Sequence, residues 1–198
     1  VLFRSHQFIS GVDPRAAYLF TTTTLLISIP VAIVLFAYIA TLYGGSIRFT
    51  TAMLFALAFT GEFLLGGVTG IWLGSSGVDV YLHDTYFVLA HFHYTFVPIA
   101  IIATFAAVYY WYPKMFGRKM NETWGKIHFW GTIVSFNGIF IPLFILGAGG
   151  QHRRIYNFQH YPDLAGADMQ DMRVFATLSL IVMLAFQVIF IVNFFVSL

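Results

Sequence analysis

The chain has 198 residues, of which 59% are hydrophobic and only 9% are charged, and its mean hydropathy is +0.81. A soluble domain carries about 25% charged residues, so this composition excludes a water-facing globular protein and places the chain in a lipid bilayer. The absence of cysteine excludes disulfides and thiolate metal sites. The formal net charge of +2 gives no basis for a nucleic-acid partner.

Five apolar segments are each long enough to cross a bilayer, which takes about 20 residues. A spanning segment must satisfy its own backbone hydrogen bonds, and no alternating barrel-strand pattern is present, so we expect α-helices. The sequence therefore predicts an all-α membrane protein with a single transmembrane domain over residues 1–198. The predicted helices are Ala16–Tyr43, Phe49–Leu73, His83–Tyr112, Lys126–Leu146 and Met172–Leu198.

The first residues, VLFRSHQFISGVDPR, form a predicted loop before the first helix. Asp13 followed by Pro14 is typical of a helix start. The chain begins at Val1 rather than Met, in the middle of a pattern and without a charged-then-apolar leader. We interpret it as a fragment of a longer protein.

Glu62 lies in the middle of the second apolar segment, within FTGEFLLGG. A carboxylate at that depth is costly unless it is paired, hydrated or protonated. Two interpretations stay open: a residue of a proton path, or a neutral carboxylic acid hydrogen-bonded to a neighbouring helix. Gly66, Gly67 and Gly70 follow at a spacing that favours close helix packing.

The third apolar segment begins with HDTYFVLAHFHY, residues 83–94. Ionisable groups in such a segment indicate a functional site. Each helical residue turns by about 100°, so His91 and His93 are predicted to point in nearly opposite directions. One metal ion could not easily bind both, whereas two flat cofactors could each take one, and haem iron commonly accepts a histidine. The alternative is a packed histidine with one hydrogen bond.

Charged residues cluster in two loops. The loop PKMFGRKMNETWGK, residues 113–126, holds all three lysines and is predicted to face the cytoplasm, or the matrix of a mitochondrion. Arg153 and Arg154 follow the fourth helix, on the same side as His83, and guanidinium groups pair carboxylates bidentately. The alternative is two solvated loop arginines. His128, near the basic loop, is interpreted as structural.

The run HDTYFVLAHFHY resembles the signature of subunit I of the haem–copper oxygen reductases, the cytochrome c oxidase family. The resemblance implies that the chain forms the last five of the twelve helices of that subunit. It implies that His91 is the axial ligand of the high-spin haem at the oxygen site and His93 an axial ligand of the low-spin haem. Phe92 would lie between the haems, completing the catalytic set, and Arg153 and Arg154 would hold the haem propionates.

The same resemblance implies two further metals. His83 and Asp84 would help to bind a non-redox magnesium or manganese. His6 matches the second histidine of a pair that binds copper in the family, and Ser5 stands where the first is expected. Either the first few residues are foreign or damaged sequence, or the copper site is altered. A single loop histidine is weak evidence for a metal site, so an ordinary role for His6 stays open.

One departure from the family concerns proton transfer. Val34 and Val31 stand where well-known members have a lysine and a threonine of a proton-input channel. Two apolar side chains cannot relay protons by hydrogen bonding. The functional interpretation of Glu62 is that it partly replaces the missing lysine.

The implied function is reduction of oxygen to water with electrons from cytochrome c or quinol, coupled to proton movement across the membrane. The implied partners are oxidase subunit II, further oxidase subunits and membrane lipid. A bacterial or archaeal plasma membrane is favoured over the mitochondrial inner membrane. Two alternatives remain: a nitric oxide reductase of the same superfamily, in which only the HxH part is usually similar, and a haem-free membrane ion transporter.

Overall fold

The computed structural model of the chain describes residue 11, residues 13–161 and residues 166–198. The described chain is helical, which confirms the all-α prediction. Its helices are α1 Pro14–Leu26, α2 Ser28–Leu42, α3 Thr51–Gly74, α4 Ser76–Leu82, α5 Tyr86–Val97, α6 Ala103–Phe116, α7 Glu122–Ala148 and α8 Ala167–Val196, with a π-helical turn at Pro98–Ile102 and a 3₁₀ turn at Phe158–His160.

These helices form five segments long and apolar enough to cross a membrane, as predicted. The chain is accordingly an integral membrane protein. The segments are Pro14–Leu42, Thr51–Gly74, Tyr86–Phe116, Glu122–Ala148 and Ala167–Val196.

The first span is broken at Ile27, where the sequence predicts one continuous helix. Pro30 has no N–H to donate to the carbonyl of Leu26, and its ring crowds that carbonyl. Helix α1 therefore ends at Leu26 and α2 begins at Ser28.

The third span begins at Tyr86 rather than at His83. Thr85 is the N-cap residue, and its hydroxyl accepts a hydrogen bond from the Phe87 N–H at 3.3 Å. Asp84 before it has φ +55°, a left-handed conformation that no helix interior adopts. His83 and Asp84 therefore lie in a turn just before the first residue of the third span.

Pro98 begins the π-helical turn of this span. Its missing N–H removes one α-helical bond, and the Ala103 N–H donates to the Pro98 carbonyl five residues earlier. The extra residue in this turn lets the span continue without a break to Phe116.

Helix α7 is the most buried span of the described chain. It begins at Glu122, four residues earlier than predicted, because Asn121 accepts hydrogen bonds from the N–H groups of Thr123 and Trp124. The Glu122 carboxylate accepts from the N–H and hydroxyl of Thr51, at 2.9 and 2.8 Å, which joins the starts of α7 and α3. The hydrophobic core between α7 and α5 consists of Ala90, Tyr94, Phe136, Ile139 and Phe140.

Candidate functional site

His91 lies on α5 and contacts α3. Its Nδ1 is 3.0 Å from the Gly66 carbonyl oxygen and 3.1 Å from the Thr69 hydroxyl. A carbonyl can only accept, so the hydrogen bond to Gly66 requires the proton on Nδ1. This tautomer leaves the lone pair of the ring on Nε2, the form in which histidine binds a metal.

Two glycines of α3 bring that helix close to α5. A Cβ atom on Gly66 would lie 2.7 Å from the Tyr94 carbonyl oxygen, and one on Gly70 would lie 2.9 Å from Cε1 of His91. A Cβ atom on Gly67 would meet nothing within 4 Å. Two of the three glycines predicted to serve helix packing therefore make room for the His91 region.

His93 lies on the same helix but contacts α7. Its ring stacks on Phe140 with centroids 4.4 Å apart and an interplanar angle of 20°. Its Nδ1 is 2.8 Å from the Leu89 carbonyl oxygen, so this ring too carries its proton on Nδ1. The two histidines contact different helices, as their two-residue spacing predicts.

Phe92 stands between the two histidines in sequence and is 48% exposed. Its ring stacks on Phe96 at 5.4 Å and meets His93 edge-on at 5.4 Å. A large aromatic side chain in this position is available for contact with a bound group or another part of the bundle.

The donor chemistry of this helix fits two haem irons. Each histidine is anchored through Nδ1 to a main-chain carbonyl, which orients the ring and raises the basicity of Nε2 as a ligand. The rings contact different neighbours, so they suit two planar groups better than one ion. The axial roles predicted for His91 and His93 are compatible with this geometry.

His83 lies in a carboxylate environment at the start of the third span. Its Nδ1 is 3.5 Å from Asp79 Oδ2, and its Nε2 is 3.8 Å from Asp84 Oδ2. Asp79 on α4 is 1% exposed, and burial raises the pKa of its carboxyl to about 6 against the opposing effect of His83. Sequence reasoning missed Asp79, although a carboxylate four residues before a histidine is the spacing of neighbours on one helix face.

Arg153 pairs with Asp84 across 69 residues of sequence. The Arg153 Nε–H donates to Asp84 Oδ1 at 2.8 Å, and Nη2 lies 2.5 Å from the same oxygen. Partial burial alone would raise the pKa of the Asp84 carboxyl, but the hydrogen bond and the charge of Arg153 outweigh it and hold the pKa below its usual range. The alternative of a merely solvated arginine is therefore wrong for Arg153.

Arg154 takes a different position. It has φ +70° and is exposed, and its positive charge also acts on Asp84. The two arginines thus differ, because Arg153 forms an ion pair with a carboxylate of this chain, whereas Arg154 is exposed.

The loop that carries both arginines is fixed to the third span by main-chain contacts. Thr85 and His152 form an antiparallel bridge, and the Tyr86 N–H donates to the Gln151 carbonyl at 2.9 Å. The Gln151 side chain is fully buried and accepts from Arg173 Nη1 at 2.9 Å. Neither Gln151 nor Arg173 carries a sequence signal that distinguishes it from an ordinary polar loop or helix-end residue.

The structure describes two of the three residues implied as metal ligands, His83 and Asp84. Over residues 13–161 and 166–198 no group of three or more His, Cys, Asp or Glu gathers to hold a metal ion. One ion could contact both His83 and Asp84, whereas Mg²⁺ takes about six ligands, so these two side chains form only part of a shell. His6 and Ser5 lie outside the described residues.

Glu62 belongs to a polar network between three spans. Its Oε1 accepts from Asn137 Nδ2 on α7 at 2.7 Å, and Asn137 Oδ1 accepts from the Tyr94 hydroxyl on α5 at 2.7 Å. This contact is the hydrogen bond to a neighbouring helix that one of the two interpretations of Glu62 requires. Sequence reasoning did not identify Asn137 and Tyr94 as the partners, because they are 75 and 32 residues away along the chain.

His128 has a structural environment, as predicted. It is fully buried, its Nδ1 is 3.3 Å from the Tyr109 hydroxyl, and its Nε2 is 3.2 Å from the Gln187 amide oxygen. Gln187 also donates to Thr132 at 3.0 Å. The polar side of α8 therefore faces α7.

Comparison with known proteins gives a consistent result. A family profile described as "Cytochrome C and Quinol oxidase polypeptide I" matches residues 4–197. Cytochrome c oxidase subunit 1 of Synechocystis sp. is 38% identical over all 198 residues, which cover 35% of that protein. The corresponding subunit of Alkalihalophilus pseudofirmus is 44% identical over 158 residues, 80% of this chain and 25% of that protein.

A quinol oxidase relative and a solved structure extend this picture. The probable quinol oxidase subunit 1 of Staphylococcus aureus is 46% identical over 153 residues, which are 77% of this chain and 23% of that protein. The fold matches a cryo-EM structure of a heme-copper terminal oxidase dimer with a TM-score of 0.77 and 16% identity, over 98% of this chain and 38% of that chain.

The match extends along the chain but not along its relatives. The chain spans between about a quarter and a third of the length of the curated relatives named above. The family profile covers nearly every residue, including the histidine pair on α5 and the arginine pair after α7. The chain therefore belongs to the family of cytochrome c and quinol oxidase polypeptide I, the subunit I family of the haem–copper terminal oxidases.

Proposed function

We propose that this chain is the part of a respiratory terminal oxidase subunit that ligates both haems of the enzyme. The observation that carries the proposal is the pair of histidines on α5, each anchored through Nδ1 to a main-chain carbonyl and each facing a different helix. When bound, the haems and copper would supply electron transfer and the reduction of oxygen to water. His91 would hold the haem at the oxygen site through Nε2, and His93 would hold the low-spin haem in the same way.

The residues around the histidines would position and insulate the bound groups. The Gly66 carbonyl and the Thr69 hydroxyl hold the His91 ring, and Phe140 supports the His93 ring from one side. Phe92 would fill the space between the haems. Such anchoring keeps each ligand oriented while the charge of the metal changes.

The charged residues near the start of the third span would bind the haem propionates and a non-redox metal ion. Arg153 and Arg154 would neutralise the propionates, because guanidinium groups pair carboxylates bidentately. Asp84 already binds Arg153 and would share it with a propionate. His83 and Asp84 would supply part of the shell of magnesium or manganese, and His6 would be a copper ligand.

Protons for the reaction must cross apolar helices. Val31 and Val34 offer no hydrogen-bonding side chain, whereas Glu62 is a carboxyl group held inside the bundle. We assign Glu62 to the proton path. The whole enzyme would then couple oxygen reduction to proton movement across a bacterial or archaeal plasma membrane.

The electron donor belongs to one of two classes. Relatives of this chain are described both as cytochrome c oxidase and as quinol oxidase subunits. Oxidase subunit II and further subunits, in contact with membrane lipid, would complete the enzyme. Oxygen uptake by membranes supplied with reduced cytochrome c or with a quinol separates the two classes.

The test is a reduced-minus-oxidised absorbance spectrum of the full-length parent complex, with and without carbon monoxide. We expect His91→Ala to remove the carbon-monoxide-sensitive band and His93→Ala to remove the low-spin band. His160→Ala, an exposed histidine in the loop after α7, is the matched control and should leave both bands. Absence of any haem band from the wild-type complex would overturn the proposal and favour a haem-free ion transporter.

A further inference from the structure

The feature that goes beyond haem ligation is a buried polar chain between α3, α5 and α7. The Tyr94 hydroxyl donates to Asn137 Oδ1, and Asn137 Nδ2 donates to Glu62 Oε1, both at 2.7 Å. Tyr94 is fully buried and Glu62 is 7% exposed. Glu62 and Asn137 lie near the middle of their spans, and Tyr94 lies eight residues after the start of its span.

The orientation of the Asn137 amide is fixed by its surroundings. Its Nδ2 also donates to the Ile133 carbonyl at 3.0 Å, and a carbonyl can only accept. Reversing the amide would place two acceptors against each other at that contact. Asn137 therefore donates to Glu62 and accepts from Tyr94, which gives the hydrogen-bond chain one direction.

Few interactions offset the free-energy cost of burying the Glu62 carboxyl group. In the part of the chain that the structure describes, no cation pairs with it, and a single neutral amide donates to Oε1. Its second oxygen, Oε2, is buried and has no hydrogen-bond partner among the described residues. One neutral hydrogen bond does not replace the hydration of a carboxylate in the centre of a membrane.

We propose that Glu62 is a proton-holding site whose proton resides on Oε2 and exchanges with water. This deepens the assignment of Glu62 to the proton path and rests on it. Oε1 is the acceptor for Asn137, so Oε2 is the oxygen that carries O–H. The ligand class is the solvent proton: uptake forms the O–H bond on Oε2, and release breaks it and passes the proton to a water molecule.

The network connects this site to the helix that carries the histidine pair. Tyr94 follows His93 directly, and both rings pack against Phe140, at 6.3 and 4.4 Å between centroids. One helical turn after Glu62, the Gly66 carbonyl accepts from His91. Loss of the Oε2 proton would leave Glu62 negatively charged and would strengthen the hydrogen bond that it accepts from Asn137. Through Asn137, the change would also affect the hydrogen bond from Tyr94. The proton on Glu62 and the surroundings of His93 are thereby coupled.

The experiment is infrared spectroscopy of the full-length parent complex, as the difference between H₂O and D₂O buffer. We expect a protonated-carboxyl C=O band that moves to lower frequency in D₂O, disappears in Glu62→Gln and persists in Glu122→Gln. Glu122 is the only other glutamate of the chain and binds Thr51, which makes it the matched control. Asn137→Leu should move the Glu62 band to higher frequency, because the hydrogen bond to Oε1 is lost.

Several outcomes would overturn the inference. Glu62→Gln could remove no carboxyl band, or it could remove a band that does not shift in D₂O. Either result would mean that Glu62 is a fixed polar contact between helices and not a site of proton exchange. If Glu62→Gln does not assemble, Glu62→Asp replaces it, and a band unmoved by this shorter side chain has the same consequence. The haem absorbance of each sample is recorded in parallel. Haem bands without a Glu62 band reject this inference alone, whereas missing haem bands reject the proposed function.

Discussion

Arg153 and Asp84 are joined twice, once through side chains and once through main chain. The Arg153 Nε–H donates to Asp84 Oδ1 at 2.8 Å, and the Arg153 main-chain N–H donates to the Asp84 carbonyl at 2.9 Å. Asp84 has φ +55°, so the turn before α5 directs its main-chain carbonyl toward the loop after α7. One loop therefore presents a guanidinium group at a fixed place beside the span that carries the histidine pair.

Arg153→Gln should lower the reduction midpoint potential of the haem whose propionates Arg153 is proposed to neutralise. Loss of a positive charge disfavours the added electron, and for a partly screened unit charge the effect is about 1 kcal/mol, or tens of millivolts. Spectroelectrochemical titration of the full-length complex measures the shift. Arg48→Gln removes the same charge from the exposed loop between α2 and α3, at the other end of the spans, and should leave the potential unchanged. Equal shifts in both variants would contradict a local role for Arg153.

Gly70→Ala should weaken the haem site proposed on His91. The added Cβ would lie 2.9 Å from His91 Cε1, and the ring cannot simply withdraw, because Nδ1 is held by Gly66 and Thr69. Overpacking costs about 1–3 kcal/mol, and 1.4 kcal/mol corresponds to about a tenfold change in an equilibrium constant. We expect a carbon-monoxide-sensitive band reduced severalfold at the same protein concentration.

The control for Gly70→Ala lies three residues earlier on the same helix. A Cβ atom on Gly67 meets nothing within 4 Å, so Gly67→Ala should retain the wild-type band. An unchanged band in Gly70→Ala would show that the His91 ring can shift without loss of the ligand, and would contradict the close fit inferred here.

Sequence patterns are sufficient for the parts of this structure that are local. The apolar segments predict all five spans, and the HxH spacing predicts two rings on different sides of α5. The sequence does not predict the break at Ile27 even though it contains Pro30, because prolines in membrane helices give a kink, a widened turn or a break according to their neighbours. Pro98 gives a widened turn.

Contacts between distant parts of the chain could not be predicted in the same way. Asn137 is one polar residue in an apolar helix, and nothing in its surroundings specifies that Glu62 and Tyr94 are its partners. The Arg153–Asp84 pair spans 69 residues, and only the packing of α7 against α5 brings its two ends together. Such contacts depend on the relative register of helices, which hydropathy does not determine.

Gly147→Ala should destabilise the complex strongly. A Cβ on this glycine, near the end of α7, would overlap the main-chain nitrogen of Phe87 at the start of α5. Because the obstacle is backbone, the two helices would have to separate, and the cost should reach the upper end of the ~1–3 kcal/mol range for overpacking. Thermal melting of the purified complex, followed by haem absorbance, should show a midpoint lower by several degrees.

Gly61→Ala is the matched control for that measurement. Gly61 is exposed on α3, and a Cβ there meets nothing within 4 Å. Alanine has a higher helix propensity than glycine by about 1 kcal/mol, so the melting temperature should stay equal or rise slightly. A Gly147→Ala complex that melts with the control would mean that α7 and α5 are not in the close contact described.

Arg173→Met should loosen the loop that carries the arginine pair without removing either arginine. Arg173 Nη1 donates to the buried Gln151 side chain at 2.9 Å, and its guanidinium lies 4.7 Å from the centroid of the Phe158 ring. Hydrogen bonds from charged donors contribute about 1.5–3 kcal/mol, so amide hydrogen exchange over residues 151–158 should accelerate by about tenfold or more. Arg173→Lys keeps the charge but not the planar fork and should give an intermediate rate. Exchange in α7 should be unchanged, and acceleration there as well would indicate general unfolding rather than release of this loop.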